Sequence, residues 1–151
     1  MLIAHRGNTR GPLPDRENAP DYIDEAIEAG FDVEIDVWSL GGNLWLGHDG
    51  PQYEIEPTFL YDRSHVLWCH AKNLDALVFL VENGFNAFFH DKDDYVLTSK
   101  GFIWALVGSP ITPDTICVMP ERASYSSEDL RKCKGICSDK VLDIVKNIND
   151  L

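Results

Sequence analysis

The stretch Gly30-Phe31-Asp32-Val33-Glu34-Ile35-Asp36-Val37-Trp38-Ser39-Leu40-Gly41-Gly42-Asn43-Leu44-Trp45-Leu46-Gly47-His48-Asp49-Gly50 decides how the chain is read. Glu34 and Asp36 stand two residues apart inside an apolar run, so in a β-strand both carboxylates point to one side. Their neighbours Phe31, Val33, Ile35, Val37 and Trp38 argue for burial. Buried acids are costly unless paired or metal-bound, and a divalent cation would explain both. The glycines at 41 and 42 turn the chain into a second apolar run. That run ends at His48-Asp49 and carries a histidine back toward the acids.

Strands and helices alternate outward from this stretch. Met1–His5 reads as a strand, and Asn8–Arg16 as a Gly- and Pro-containing loop. A helix follows, with Asn18 as N-cap, Pro20 in its first turn and Gly30 at its end. Strand 32–38 completes a βαβ unit. Residues 49–64 read as a polar connection with a short apolar patch at 58–61. Val66–Ala71 is a strand, and Leu74, Leu77, Val78, Leu80 and Val81 form the apolar stripe of a helix. Phe85–His90 is the next strand, Asp91–Asp94 a charged turn, and Tyr95–Thr98 with Phe102–Val107 a hairpin. Thr115–Met119 is a strand, and Ser127 caps a short helix running to about Cys133. Gly135–Ser138 is the last strand. Asp139 caps a final helix that faces inward through Val141, Leu142, Ile144, Val145 and Ile148.

Such alternation predicts an α/β fold with a largely parallel sheet. The whole of residues 1–151 is expected to form a single domain. His5, His70, His90 and Asp139 all fall at or just past the C-terminal ends of strands, the edge where functional groups collect in α/β folds. A complete (β/α)₈ barrel takes about 250 residues. The expected architecture is therefore a reduced, compact (β/α) TIM-type barrel in which loops replace some helices. Apolar strand faces left bare by missing helices would be buried in a homodimer.

Composition limits the function. Thirteen Lys and Arg against twenty-five Asp and Glu leave a net charge of −12. That disfavours nucleic acid, whose phosphate backbone calls for clustered basic residues. No apolar run reaches the ~18 residues of a membrane span. Cys69, Cys117, Cys133 and Cys137 form no C-x-x-C pair, and with no signal peptide visible they read as reduced thiols of a cytoplasmic protein.

Ile3-Ala4-His5-Arg6-Gly7, Glu17-Asn18, Glu34-Ile35-Asp36 and His48-Asp49, in this order and spacing, resemble the signature of the glycerophosphodiester phosphodiesterase family, of the phospholipase-C-like phosphodiesterase superfamily. The resemblance covers residues 1–50. Gly135–Asp139 is similar to that family's last strand and following Asp. The run His90–Trp104 resembles compact bacterial relatives, while 85–121 otherwise departs from the family pattern.

The resemblance implies a metal-dependent phosphodiester hydrolase acting on a small glycerol- or sugar-phosphodiester. Glu34 and Asp36 would be ligands of Mg²⁺ or Ca²⁺, with Glu17 as a further ligand or a plain solvated side chain. His5 and His48 would be the general acid–base pair, since imidazole titrates near neutrality. Arg6 and Lys72 would bind phosphate oxygens, Lys72 having a salt bridge to the carboxylates as its alternative. His70 stands where the family places a third acid. As a ligand it would remove one negative charge and shift the site toward Mn²⁺, Zn²⁺ or Fe²⁺.

His90, with Asp91, Asp93 and Asp94, would line the same mouth and bind a polar head group, or else belong to a solvated turn. Tyr95 and Trp104 would stack on a sugar or simply pack. Glu121 is a weaker candidate, and His65, at the opposite end, has no role. The second functional expectation is a non-catalytic or regulatory binder of a phosphorylated sugar or lipid head group. The third is a different α/β enzyme acting on a metal-bound sugar.

Overall fold

The structure is a computed structural model and describes residues 1–149. Its strands are β1 (Leu2–His5), β2 (Asp32–Leu40), β3 (Asn43–Leu46), β4 (Tyr53–Ile55), β5 (Leu67–Ala71), β6 (Ala87–Phe88), β7 (Tyr95–Leu97), β8 (Ile103–Ala105), β9 (Thr115–Val118) and β10 (Gly135–Ser138). Its helices are α1 (Pro20–Glu28), α2 (Pro57–Asp62), α3 (Leu74–Glu82), α4 (Ser127–Lys132) and α5 (Val141–Asn149). A 3₁₀ turn occupies Pro120–Arg122. Among the described residues no helix is long and apolar enough to cross a membrane.

The sheet is mixed and curled. Strands β6-β5-β2-β1-β10-β9-β8 run parallel, each bonded to the next. β7 returns antiparallel on β8. The far ends of this row approach each other: Ser99 N–H donates to Ala87 O at 2.8 Å, and Ala87 N–H to Ser99 Oγ at 2.9 Å. Trp68 of β5 and Trp104 of β8 meet across the interior, with ring centroids 5.5 Å apart.

Period-two alternation explains this arrangement. In β2 the odd positions Val33, Ile35 and Val37 pack outward against Ile23 and Ala26 of α1 and Ala76 and Leu80 of α3. The even positions Asp32, Glu34 and Asp36 face the inside of the curl, whose core is Ile3, Trp68, Phe88, Val96, Trp104, Ile116, Val118, Met119 and Cys137. β2 has three partners. Residues 32–34 lie beside β1 and 33–37 beside β5. Once β1 has ended at His5, the antiparallel β3 takes the free edge over 37–40. This handover brings His48 back to the edge where β1 stops.

Several local expectations are corrected. The N-cap of α1 is Ala19, not Asn18, whose φ of 62° and side-chain bonds belong to another task. Asp139 does not cap α5, which begins at Val141. Ser126 rather than Ser127 caps α4, accepting from Asp129 N–H. The polar connection 49–64 contains β4 and α2, because Tyr53 and Ile55 continue the hairpin register and Leu60 is buried. The strand expected over 85–90 is bonded only over Ala87–Phe88. The stripe of α3 is also wider than its buried face: Ala76 and Leu80 are buried, while Leu74, Val78 and Val81 are exposed. Val141 and Ile144 of α5 are buried; the Ile148 side chain lies outside the described residues.

β6 connects to β7, and β8 to β9, without a helix, leaving Tyr95, Leu97, Ile103 and Val107 exposed. The thiols of Cys69, Cys117, Cys133 and Cys137 are free. Burial pushes the pKa of the Cys69 thiol well up, so it stays protonated and packs as a small apolar group.

Ile35, fully buried between β2 and the helices, tests this packing. Ile35→Ala is expected to destabilise the protein by about 2–5 kcal/mol. Leu74→Ala, at a side chain 71% exposed, is expected to stay within about 0.5 kcal/mol. Urea unfolding midpoints of the two variants would check the contrast.

Candidate functional site

Strand register assembles the site. His5 lies opposite Glu34 across the β1–β2 pair, and Asp36 opposite His70 across β2–β5. All four sit at the C-terminal edge of the parallel strands. Ligand-type atoms of Glu34, Asp36 and His70 lie within 4.8 Å of one another. His70 Nδ1 is 3.2 Å from Asp36 Oδ1 and 3.9 Å from Glu34 Oε1, and His5 Nε2 is 3.8 Å from Glu34 Oε2.

Asp36 has no exposed surface and is held from several sides. Asn18 Nδ2 donates to its Oδ2 at 2.9 Å, and Asp36 N–H donates to Asn18 Oδ1 at the same distance. Arg6 Nε stands 3.2 Å from Oδ2, and Lys72 Nζ 3.6 Å from Oδ1. Burial alone would raise the pKa of this carboxyl, but His70, Arg6 and Asn18 hold it well below the usual range. Glu34 goes the other way: burial, then repulsion from Asp36, raises its pKa. Two buried oxygens in this group, Glu34 Oε2 and Asp36 Oδ1, have no hydrogen-bond partner.

Arg6 is committed to acids. Its Nη1 donates to Glu17 Oε2 at 3.0 Å while Nε faces Asp36. Glu17 therefore stands behind Arg6, also accepting from Asn8 Nδ2 at 2.9 Å, and is neither solvated nor part of the Glu34–Asp36–His70 group. Gly7 (φ 88°) makes this turn possible, since a Cβ there would sit 2.9 Å from the Tyr22 ring.

Asp139 turns out to be a central residue. Its Oδ1 lies 2.7 Å from His5 Nδ1 and accepts from Asn8 Nδ2 at 2.9 Å. Its Oδ2 accepts from Arg122 Nη2 at 2.9 Å, and its backbone N–H donates to Glu121 Oε1. Burial disfavours the imidazolium of His5, yet Asp139 and Glu34 outweigh it and raise the His5 pKa. Asp139 is lowered in turn: burial opposes this, but the bond to His5 prevails. With Nδ1 taken by Asp139, His5 Nε2 is left for the cavity.

The cavity, of about 170 Å³, is lined on its polar side by His5, Arg6, Glu34, His48, His70, His90 and Arg122. Phe88, Trp104, Leu106, Val118 and Met119 form its apolar side. Thus His5 and His48 open onto one space, although they are far apart in sequence. His48 is 40% exposed, with Nδ1 2.7 Å from Asp49 Oδ1. His70 neighbours Phe88 and His90 in a cluster of near-parallel rings, at centroid distances of 5.1 and 4.5 Å, with Phe88 and His90 themselves 6.1 Å apart. Burial, then the neighbouring His70 and Lys72, lowers the His90 pKa.

Asp91, Asp93 and Asp94 are solvated. Trp104 is buried against Trp68 and Phe88, whereas Tyr95 is exposed and donates its hydroxyl to Pro110 O. His65 lies in a separate pocket with Asp32 and Lys100.

Asn8 and Arg122 are not foreseen in the sequence, and Asn18 and Asp139 read there chiefly as helix caps. Asn18 carried one signal, since Asn tolerates left-handed backbone. Asp139 carried another, its place just past a strand end. That β10 is the neighbour of β1 was not written in either residue. No protein-family model, curated protein or solved structure matches the chain.

The His5–Asp139 pair has a measurable consequence. His5 is expected to titrate above the ordinary value near 6.5, and Asp139→Asn is expected to lower it. The imidazole proton shifts followed by NMR against pH would show both. A folded-state value above the unfolded one means stabilisation fully present below about pH 6.5 and lost as pH rises through the folded-state pKa. Denaturant midpoints of the wild type should fall across that window, and those of the variant should fall less.

Proposed function

We propose that the chain is a metal-dependent phosphodiester hydrolase built on a pared-down (β/α) TIM-type barrel. Its substrate would be a small glycerol- or sugar-phosphodiester. The observation that carries this reading is the pair of buried carboxylates Glu34 and Asp36, whose Oε2 and Oδ1 have ion-pair neighbours but no well-formed hydrogen bond among the described residues, beside His70 at the head of a cavity that His5 and His48 also line. Buried oxygens short of hydrogen bonds are costly, and the three side chains are close enough to share one oxygen-preferring cation.

Glu34, Asp36 and His70 would hold Mg²⁺ or Ca²⁺ first, Mn²⁺ or Zn²⁺ given the imidazole. Such a cation, when bound, supplies charge neutralisation at the phosphate. The remaining chemistry belongs to the chain. Asp139 fixes the ring of His5 through Nδ1, so that Nε2 can exchange a proton with the reacting oxygen. His48, oriented by Asp49 at the end of the β2–β3 hairpin, serves the second proton transfer. Asn18, Arg6 and Lys72 keep Asp36 ionised and in place. Phe88, Trp104, Leu106, Val118 and Met119 close the other side to water. A cavity of about 170 Å³ suits a head group rather than a lipid chain.

A second reading is a binder of a phosphorylated sugar or lipid head group without turnover. It is favoured by the cations already around Asp36, which let the site stand without a metal ion.

Release of alcohol from glycerophosphodiesters, with and without added Mg²⁺, Ca²⁺ or Mn²⁺, separates the readings. Turnover that depends on the cation is expected. His5→Ala and His48→Ala should each lower it by about 10²–10⁴-fold with circular dichroism unchanged. Full activity in either variant would remove that histidine from the acid–base pair. Glu34→Gln should abolish cation binding by calorimetry. Head-group binding without turnover in the wild type would favour the second reading.

A further inference from the structure

The cations expected to grip phosphate are largely buried and already face acids. Arg6 faces Glu17 and Asp36, Lys72 faces Asp36, and Lys72 does not line the cavity. Arg122 differs. Among the described residues its one ion pair uses only Nη2, on Asp139 Oδ2 at 2.9 Å. Its Nε and Nη1 donors make no hydrogen bond among the described residues, and its side chain is 56% exposed at the cavity wall. A guanidinium anchored at one corner and open along another edge suits a phosphate oxyanion, which it can meet with two parallel N–H donors.

The backbone holds this group in place. After β9, Met119 turns the chain at φ 51°, an unfavourable left-handed conformation for a side chain of that size. Pro120 follows, and Arg122 N–H closes the 3₁₀ turn on Met119 O at 2.9 Å. Met119 N–H is tied to Cys137 O at 2.7 Å, and Glu121 accepts from Asp139 N–H. Asp139 thus clamps the turn through both its backbone and its side chain. The same carboxylate holds His5 Nδ1 on its other oxygen, so an anion on the open edge of Arg122 lies next to the proton-transfer histidine.

We infer that Arg122 is the phosphate-binding cation of the cavity, in the role for which Arg6 and Lys72 are spoken for, and that the ligand it selects carries a phosphate-class oxyanion. This rests on the proposed reading only in taking the cavity to be the substrate site.

The test uses the intact chain and inorganic phosphate, titrated by calorimetry with and without Mg²⁺. Measurable phosphate binding is expected in the wild type. Arg122→Gln should weaken it by about 10- to 100-fold, the span of a charge-assisted hydrogen bond. Arg122→Lys, which keeps the charge on Asp139 but not the planar fork, should fall between. Thermal unfolding and the NMR titration of His5 in Arg122→Lys, both near wild type, would show that the loss is one of recognition. Equal phosphate affinity in wild type and Arg122→Gln overturns the inference. So does absence of phosphate binding by the wild type under both conditions, or a larger loss in folded Arg6→Gln. Phosphate binding that depends on Arg122, without diester turnover, would leave this inference standing and remove the hydrolase reading. Turnover indifferent to Arg122 would do the reverse.

Discussion

Asp36 is a carboxylate with no access to water, and much of the site can be understood as the means of keeping it charged. Taking an ion out of solvent costs several kcal/mol even after relaxation. One hydrogen bond from Asn18 Nδ2, whose Oδ1 in turn accepts from the Asp36 backbone N–H, and the proximity of Arg6, Lys72 and His70 offset that cost. These partners come from three parts of the chain, so the ion ties the loop after β1 and the end of β5 onto β2. The loop conforms at a price of its own. Arg6 and Asn18 both adopt positive φ, 55° and 62°, which for residues with a side chain stands at roughly 1–3 kcal/mol each. Asn18 N–H bonding to Arg6 O at 3.1 Å closes the strained segment on itself.

Strand geometry explains why the charges gather at one end. Along β2 the inward side chains run from Asp32, which accepts from Trp68 Nε1 near the closed end, through Glu34 to Asp36 at the open edge. Aromatic packing of Trp68, Phe88, Phe102 and Trp104 fills the curl below the acids. A slip of one residue between β1 and β2 would turn Glu34 into the helix layer and Val33 into the cavity, so the apolar alternation protects the alignment of His5 with Glu34. The same rule places Glu34 and Asp36 on one side from the sequence alone.

Features that depend on neighbours in sequence were legible: the two-residue spacing of the acids, the hairpin returning His48, the strand ends at His5, His70 and Asp139. Features that depend on which strand lies beside which were not. Asp139 reads as a helix cap until β10 is seen to run parallel to β1, with Ala4 opposite Ser138, which sets Asp139 beside His5. Asn18 reads as a cap because Asn at a helix start usually is one, and here a buried carboxylate outcompetes the helix for its amide. The stripe on α3 misled in a different way. Leu74 and Val78 have the right period but extend past the sheet, since β6 is only two residues long and gives them nothing to cover. Of the motif residues within 1–50, His5, Glu34 and His48 line one cavity and Glu17 stands outside its lining; no family or structure matches the chain, so the chemistry is argued from the site itself.

Electrostatics decide whether an anion can enter at all. The whole chain carries −12, so a phosphate approaching from solvent meets a repulsive field. Within the site, Glu17, Glu34, Asp36 and Asp139 face Arg6, Lys72 and Arg122, which leaves the group one negative charge from neutral before any histidine is protonated. A third carboxylate at position 70 would have deepened that deficit; His70 avoids it while keeping a donor atom beside Asp36. A histidine at this position therefore lowers the site's dependence on a cation for charge balance while leaving a ligand-type atom beside the acids. Attraction of the substrate then falls to positive groups that still have unsatisfied donors. Because Arg6 and Lys72 are largely buried against Asp36 and Glu17 whereas Arg122 is more than half exposed at the cavity wall, the open edge of Arg122 is where the local field can favour an anion over the acidic surroundings.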